Sequence, residues 1–366
     1  MIVTAFSDLQ PIRDKAPIWS SIEAGISSLG VSERGGAMVN GIPCWSWEIL
    51  ACPETGRPLR AEGMRLLTDD GTLAGYIEEG VVILPLPEHD PSIEFYQSID
   101  GTRFQERIGI PYTMSHLDTP VYHHYLRQLA PQDRNALVVD VGGGDGRNAL
   151  PWLHWGFERV VVIDPIPASL RRLRQRLALD HPVWMDRLLL IVADARRLPL
   201  AAGSAQRVIA IEVLYYLNET YAAGLAEMVR ITAVGGQLLV AERDYEGALL
   251  SLLLYGGGVD GLLGLGPGRD VWDILHNRQV RSRCFTREEI LTEVRSQGLE
   301  VLEVKGISSL SILLGFLRHL DRLGDGSGGR LAEVEDLLRN LGETGHALRV
   351  HVIVAARLSA AASLAA

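Results

Sequence analysis

The chain has 366 residues, enough for two domains at roughly 150 residues each or for one domain with large insertions. Hydrophobic residues make up 47% and charged residues 22%, an ordinary globular usage that excludes fibrous and disordered classes. With 35 basic against 45 acidic side chains the formal charge is −10, so nothing draws the chain as a whole to a phosphate backbone, and nucleic acid is not an expected partner.

The first hundred residues show short apolar strings and turn signals, and read as a small β-rich module. Trp45 to Leu50 leads into a compact turn, Ala51-Cys52-Pro53-Glu54-Thr55-Gly56-Arg57-Pro58-Leu59. Gly75 to Pro85 has the β-branched content of one strand. A polar stretch from Glu88 to Arg107 then joins a helix expected over Pro120–Leu129, with Pro120 at its start. A domain boundary is therefore set at 108/109.

From Ala136 onward, apolar strands alternate with amphipathic helices, the sign of a doubly wound parallel sheet covered on both faces. Strands are expected at Ala136–Val141, Arg159–Asp164, Leu188–Ala193, Arg207–Glu212 and Gln237–Glu242, with helices near Asn148–Trp155, Pro167–Leu179 and Glu219–Thr232. Ligands of open α/β sheets sit outside the carboxyl ends of the strands, so Asp140, Asp164, Asp194 and Glu212 are expected around one crevice. An insertion at about 245–285 includes Trp272 and His276 and is longer than the connection needs, as lids and acceptor pockets are. Taken instead as a helical hairpin, it serves packing or homodimer formation. Thr286 and Glu289 form a capping box opening a helix to about Gln297, followed by a strand over Leu299–Val304. Amphipathic stretches Leu310–Leu323 and Leu331–Leu341, within a helical insertion at about 308–345, flank a Gly324–Gly329 linker, and His346–Ala356 reads as the last strand.

Cys44, Cys52 and Cys284 are too scattered for a disulfide framework and include no Cys-x-x-Cys pair, so no metal and a reducing, cytoplasmic compartment are expected. The N-terminus lacks the basic start and apolar core of a signal peptide. The most apolar run, Ala248 to Leu265, is broken by Gly256, Gly257, Gly258 and Asp260, which argues against a membrane span.

The run Asp140-Val141-Gly142-Gly143-Gly144-Asp145-Gly146 places a glycine loop between a strand and a helix. Glycine alone turns sharply enough there for the backbone to approach a ligand, and the helix start offers free N–H groups. Arg147 stands where a dinucleotide fingerprint needs its third glycine, and no Gly-Lys-Ser/Thr follows for a P-loop. The motif Asp-x-Gly-x-Gly-x-Gly, with Gly142, Gly144 and Gly146, resembles the first motif of class I S-adenosylmethionine-dependent methyltransferases. That resemblance covers roughly Tyr112 to Arg357 and implies a Rossmann-like seven-stranded sheet with S-adenosyl-L-methionine as cofactor and S-adenosyl-L-homocysteine as product. It implies further that Asp164 holds both ribose hydroxyls and that Asp194 and Ala195 contact the adenine edge. Glu212 to Leu217 resembles the fourth motif of the family.

Methyl transfer from a sulfonium needs alignment and exclusion of water more than it needs catalytic groups. Tyr216 lies where similar enzymes place an aromatic or histidine near the acceptor. His124, with His123, His116 and Tyr112, lies on the segment that covers the cofactor in similar enzymes, and Glu242, Asp244 and Tyr245 follow strand five at the edge of the crevice. The acidic chain and apolar insertion favour an O or N atom of a small molecule or natural-product peptide as acceptor. A cofactor-binding inactive scaffold and an RNA or protein methyltransferase are the alternative readings. An aminopropyl transferase would need a cluster of acids for a polyamine, which the sequence does not display. Leu50 to Leu59 and Gly80 to Pro85 resemble Trm112-like, zinc-ribbon-derived activators of methyltransferases, with Cys52 lacking a partner at Thr55.

Overall fold

The computed structural model describes residues 38–98, 114–255, 270–275, 278–319, 331–344 and 349–359. The expected boundary near 108, Tyr112, His276 and the Gly324–Gly329 linker lie outside those residues. A short antiparallel hairpin, Met38–Val39 with Ile42–Pro43, precedes a 3₁₀ turn at Cys44–Glu48. The strands of the main sheet are β1 Arg60–Glu62, β2 Arg65–Leu67, β3 Leu73–Glu78, β4 Val81–Ile83, β5 Leu137–Val141, β6 Arg159–Ile163, β7 Leu188–Val192, β8 Ala205–Ile211, β9 Thr232–Arg243, β10 Leu299–Ser308 and β11 Arg349–Leu358. The helices are α1 Pro91–Ser98, α2 Met114–Gln128, α3 Leu150–His154, α4 Pro167–Asp180, α5 Tyr221–Ile231, α6 Tyr245–Tyr255, α7 Arg287–Ser296, α8 Leu310–His319 and α9 Leu331–Thr344.

Among the described residues these strands form one 11-stranded sheet in the order β10-β11-β9-β8-β5-β6-β7-β4-β3-β2-β1. Its centre is parallel, and β11 runs antiparallel between β9 and β10. The seven strands from β7 to β10 thus form a doubly wound unit whose strand order, not strand direction, reverses between β5 and β8. That reversal opens a crevice at the carboxyl ends of these two strands.

The apolar runs in β5, β6 and β7 follow from burial on both faces. Val139 and Ile163 pack with Leu225 and Met228 of α5 and Ile290 of α7, whereas Val138 and Val162 pack with Val121 of α2, Trp152 of α3 and Leu173 of α4. A side-chain period of two along each strand feeds both layers.

Four elements differ from the sequence reading. The strand expected over Gly75–Pro85 is a hairpin, because Glu79 (φ 51°) and Gly80 (φ 71°) both take the left-handed conformation of a two-residue type I′ turn. The N-terminal strands continue the main sheet through β4, which pairs parallel to β7 at Val82↔Ile191 and Ile83↔Val192. The turn after Trp45 is tied to the same unit by Ala51 N–H to the Pro199 carbonyl at 3.1 Å and Ala201 N–H to the Ile49 carbonyl at 2.8 Å. Helix α2 begins at Met114 and carries Pro120 inside it, one N–H short, and α3 begins only at Leu150, after a series of turns from the glycine loop. No described helix is long and apolar enough to cross a membrane.

The expected capping box at α7 is complete: Thr286 Oγ1 accepts from Glu289 N–H at 3.2 Å, and Glu289 Oε2 accepts from Thr286 N–H at 2.8 Å. Because α7 packs Ile290 and Val294 into the core, Thr286→Ala is expected to lower stability by about 1 kcal/mol, as a reduced urea midpoint at unchanged m-value. Equal midpoints would show that the cap contributes nothing.

Candidate active site

The glycine loop is held by its neighbours on both sides. Gly142 and Gly143 donate their N–H groups to the Ile163 carbonyl at the end of β6, at 2.7 and 3.2 Å. At Gly142 (φ 70°) an added Cβ would meet Val213 Cγ2 at 2.4 Å, so both conformation and space demand glycine. At Gly144 (φ 51°) an added Cβ would come within 4 Å of only Asp164 Oδ2, at 3.8 Å, so this face of the loop opens in front of that carboxylate. Gly146 packs its backbone against Leu173 of α4.

Asp164 follows β6 and is buried. Its Oδ2 accepts from Gly144 N–H at 2.9 Å and its Oδ1 from Ile166 N–H at 2.8 Å, leaving a second lone pair on each oxygen. Burial pushes its pKa up to about 6, against the lowering effect of those two bonds. Asp140, at the floor of the loop, has a solvent-shielded Oδ2 without a hydrogen-bond partner, and burial pushes its pKa up to about 8. An open glycine cradle, a diol-type carboxylate and an unsatisfied buried acid together fit a nucleoside with hydroxyl and charged groups to donate.

Asp194 and Ala195 follow β7, but the Asp194 carboxylate is already engaged. Arg196 donates to it through Nε at 2.9 and 3.0 Å and through Nη2 at 2.6 Å, and the same Nη2 reaches Asp90 Oδ2 at 2.6 Å. This clamp pins the segment before α1 onto the end of β7. It borders a cavity of about 670 Å³ lined by Cys52, Asp70, Leu84, Asp90, Asp194 and Arg196 among others.

Glu212 follows β8 directly with φ 63°, a conformation costing a residue with a Cβ about 1–2 kcal/mol. Its Oε1 accepts from the Tyr122 hydroxyl at 3.2 Å and from Arg147 Nη2 at 3.4 Å. Burial raises the Glu212 pKa, but Arg147, His351 and Arg243 outweigh it and hold the carboxyl below its usual range. Glu242 has a structural part: fully buried, it accepts from Leu214 N–H at 3.0 Å and Tyr215 N–H at 2.9 Å, fixing the loop after β8 while burial raises its pKa to about 8.

Tyr216 stands on that loop, edge-on to Tyr96 of α1 at 5.1 Å between ring centroids, and its hydroxyl accepts from the Tyr96 hydroxyl. Ser92 Oγ donates to the Tyr216 carbonyl at 2.8 Å, so α1 is fastened over this loop. The antiparallel hairpin Asp270–Leu275 with Arg278–Arg283, within the expected insertion, reaches the same loop through the Arg281 carbonyl, 3.3 Å from Asn218 Nδ2. His124 faces elsewhere, 3.0 Å from Glu343 Oε1 of α9 and beside Gln128. It is His123 that turns inward, donating from Nε2 to the Arg147 carbonyl at 3.0 Å, with its pKa pushed down to about 4 by burial. Sequence reasoning missed Asp118, Arg147, Tyr122 and Tyr96. Arg147 alone had a signal, its place directly after the loop.

Residues 139–240 match the family described as Methyltransferase domain. The chain carries a methyltransferase domain. No curated protein matches the sequence. Among solved structures, similarity is found to an S-adenosylmethionine-dependent methyltransferase from Mesorhizobium loti, with 16% identity over 66% of this chain and 99% of that one, TM-score 0.43. A chain of the complex between the Haloferax volcanii Trm112 methyltransferase activator and the putative methyltransferase aligns at 18% identity over 75% of this chain and 100% of that one, TM-score 0.47. The glycopeptide N-methyltransferase MtfA complexed with S-adenosyl-L-homocysteine aligns at 18% identity over 66% of this chain and 89% of that one, TM-score 0.42.

The folded chain keeps several protons that its unfolded state would release. Asp118, Asp140 and Glu242 titrate near 8 when folded, all three through burial, against about 4 when unfolded. Stability therefore falls as pH rises through this range, by about 1.4 kcal/mol per pH unit for each carboxyl still protonated. His123 acts oppositely, but only below its unfolded value of about 6.5. A lower urea midpoint at pH 8 than at pH 6.5 is expected for the ligand-free protein; an unchanged or higher one would contradict these assignments.

Proposed function

We propose that this enzyme uses S-adenosylmethionine to methylate an O or N atom of a small molecule or natural-product peptide. The observation that carries the reading is the Gly144 N–H bond to Asp164 at the switch point of the sheet, inside residues 139–240. It presents an open glycine face beside a carboxylate with two lone pairs left for a ribose diol.

When bound, the cofactor supplies a methyl carbon activated by a sulfonium, so the protein's part is alignment and the exclusion of water. Gly142, Gly144 and Gly146 let the backbone approach, Asp140 supports the loop from below, and Asp164 accepts from both ribose hydroxyls. The adenine end would run along Asp194 and Ala195, where the Arg196 guanidinium holds the Asp194 carboxylate in place. Glu212 would face the amino-acid end of the cofactor.

On the acceptor side, Tyr216 is the group we assign to orienting the nucleophile, its hydroxyl held by Tyr96. His124 is engaged by Glu343 and takes no part in this assignment. A negative chain and the hairpin over the loop after β8 suit a neutral or cationic acceptor of modest size better than a nucleic acid. We read the N-terminal region as a fused Trm112-like module that stabilises the β7 edge, supported by its β4–β7 pairing.

Calorimetric titration of S-adenosylmethionine and S-adenosylhomocysteine against wild type and Asp164→Ala tests the reading. Loss of two charge-assisted bonds is expected to weaken both ligands by about 1–3 kcal/mol, roughly 5- to 150-fold. An unchanged affinity would remove Asp164 from the site, and no binding to a folded wild type would sink the cofactor assignment.

A further inference from the structure

The N-terminal strands meet the doubly wound unit along more than the β4–β7 ladder. Beside that ladder lies the cavity of about 670 Å³, a volume within the roughly 300–1,000 Å³ range of small-molecule sites. Its walls come from the turn at Cys52–Thr55, from the β2–β3 turn with the start of β3, and from the segment that leaves β4 toward α1. The remaining side belongs to Asp194, Arg196 and the start of α5. None of the glycine-loop residues, nor Asp164 or Ala195, is among the described residues that line it.

The floor is apolar and part of it meets water. Leu84 is buried there, whereas Leu73 is 55% exposed and Leu86 is half-buried. A large aliphatic side chain left in water at the mouth of a concave site is stabilised by a ligand that covers it. The rim is acidic: Glu54, Asp70, Asp90 and Asp194 line the cavity with only two arginines. Arg196 is shared by Asp90 and Asp194, Arg197 pairs with Glu54, and Arg57, outside the lining, donates to Asp70 Oδ2 at 2.7 Å. The Thr68 hydroxyl and the Thr72 N–H hold the Asp70 pKa down to about 2, so this acid stays charged. Even with Arg57 included the carboxylates are in excess, and the cavity carries a negative potential. Its walls are also fixed in advance. Asp90 Oδ1 caps α1, accepting from the Ser92 and Ile93 N–H groups at 2.9 and 3.1 Å, and Leu84 N–H donates to the Val192 carbonyl at 3.0 Å.

We propose that this cavity is a second ligand site and that it takes an amphiphilic organic cation, with an aryl or alkyl group on the Leu73, Leu84 and Leu86 floor and an ammonium at the Glu54, Asp70 and Asp90 rim. Withdrawal of the apolar part from water supplies the affinity, and the rim selects a cation over a neutral or anionic isostere. An anion is disfavoured because each arginine of the rim is already bonded to a carboxylate. The site goes beyond the cofactor reading and does not need it. Of the residues assigned to the cofactor only Asp194 lines the cavity, and its carboxylate is held by Arg196.

The test uses 4-phenylbutylamine, 4-phenylbutanol and 4-phenylbutanoate, which share a skeleton and differ in charge. Calorimetric titration of each into the full chain at pH 7 is expected to rank the amine tightest and the carboxylate weakest. Glu54→Lys and Leu73→Ser change exposed positions, so the urea unfolding transition should be retained in both. Each should weaken the amine by about 3-fold or more. Saturating S-adenosylhomocysteine should leave the amine's affinity within about 2-fold, as two separate sites require. An alcohol or carboxylate bound as tightly as the amine, full-strength amine binding by either variant, or displacement of the amine by S-adenosylhomocysteine would overturn the second site, as would no amine binding to folded wild type. Amine binding without any binding of S-adenosylhomocysteine would leave the second site standing and sink the cofactor reading alone.

Discussion

The hydrogen bond from Gly144 N–H to Asp164 joins the ends of β5 and β6 beside the point where the strand order reverses, and most of the site is arranged around it. For that N–H to point at the carboxylate, Gly142 and Gly144 must hold positive φ, and Val213 must close against Gly142 from the β8 side. Gly142 and Gly143 donate back to the Ile163 carbonyl, so the loop is anchored twice to β6. The loop is thus a preorganised concavity rather than a mobile turn, and a ligand entering it finds the backbone already in position.

Around this concavity the chain accepts a cost in burying carboxyls. Asp118 and Asp140 each keep an oxygen without a protein donor, whereas Asp194 and Glu212 are neutralised by Arg196 and Arg147. The two arrangements differ in what they leave open. Paired acids hold the walls of the crevice in register, and the unpaired ones leave sites that a cationic or hydroxyl-bearing ligand can satisfy. Glu242 shows the third use of a buried acid, two backbone N–H bonds that set the course of the loop bearing Tyr216.

Legibility followed the range of the interactions. The glycine loop, Asp140, Asp164 and the Thr286 capping box rest on contacts near in sequence or on strand ends, and their residue types announce them. The Glu79-Gly80 turn was hidden because a glutamate in the left-handed region is uncommon, so the hairpin read as one strand. The pairing of Val82 with Ile191 spans more than a hundred positions and has no local signature. Asp118 was equally hidden, since it stands two positions before Pro120, outside the helix expected to start there. Only the packing of α8 over α2, extending the helix back past Pro120, buries it. Likewise, nothing near Asp194 in sequence foretold that Asp90 would share its arginine.

A crystal structure grown with S-adenosylhomocysteine tests the central claim most directly. Ligand density is expected across the Gly142–Gly146 loop, with both ribose hydroxyls on Asp164. A ligand lodged instead in the cavity between Asp70, Asp90 and Arg196, with the loop empty, would contradict it.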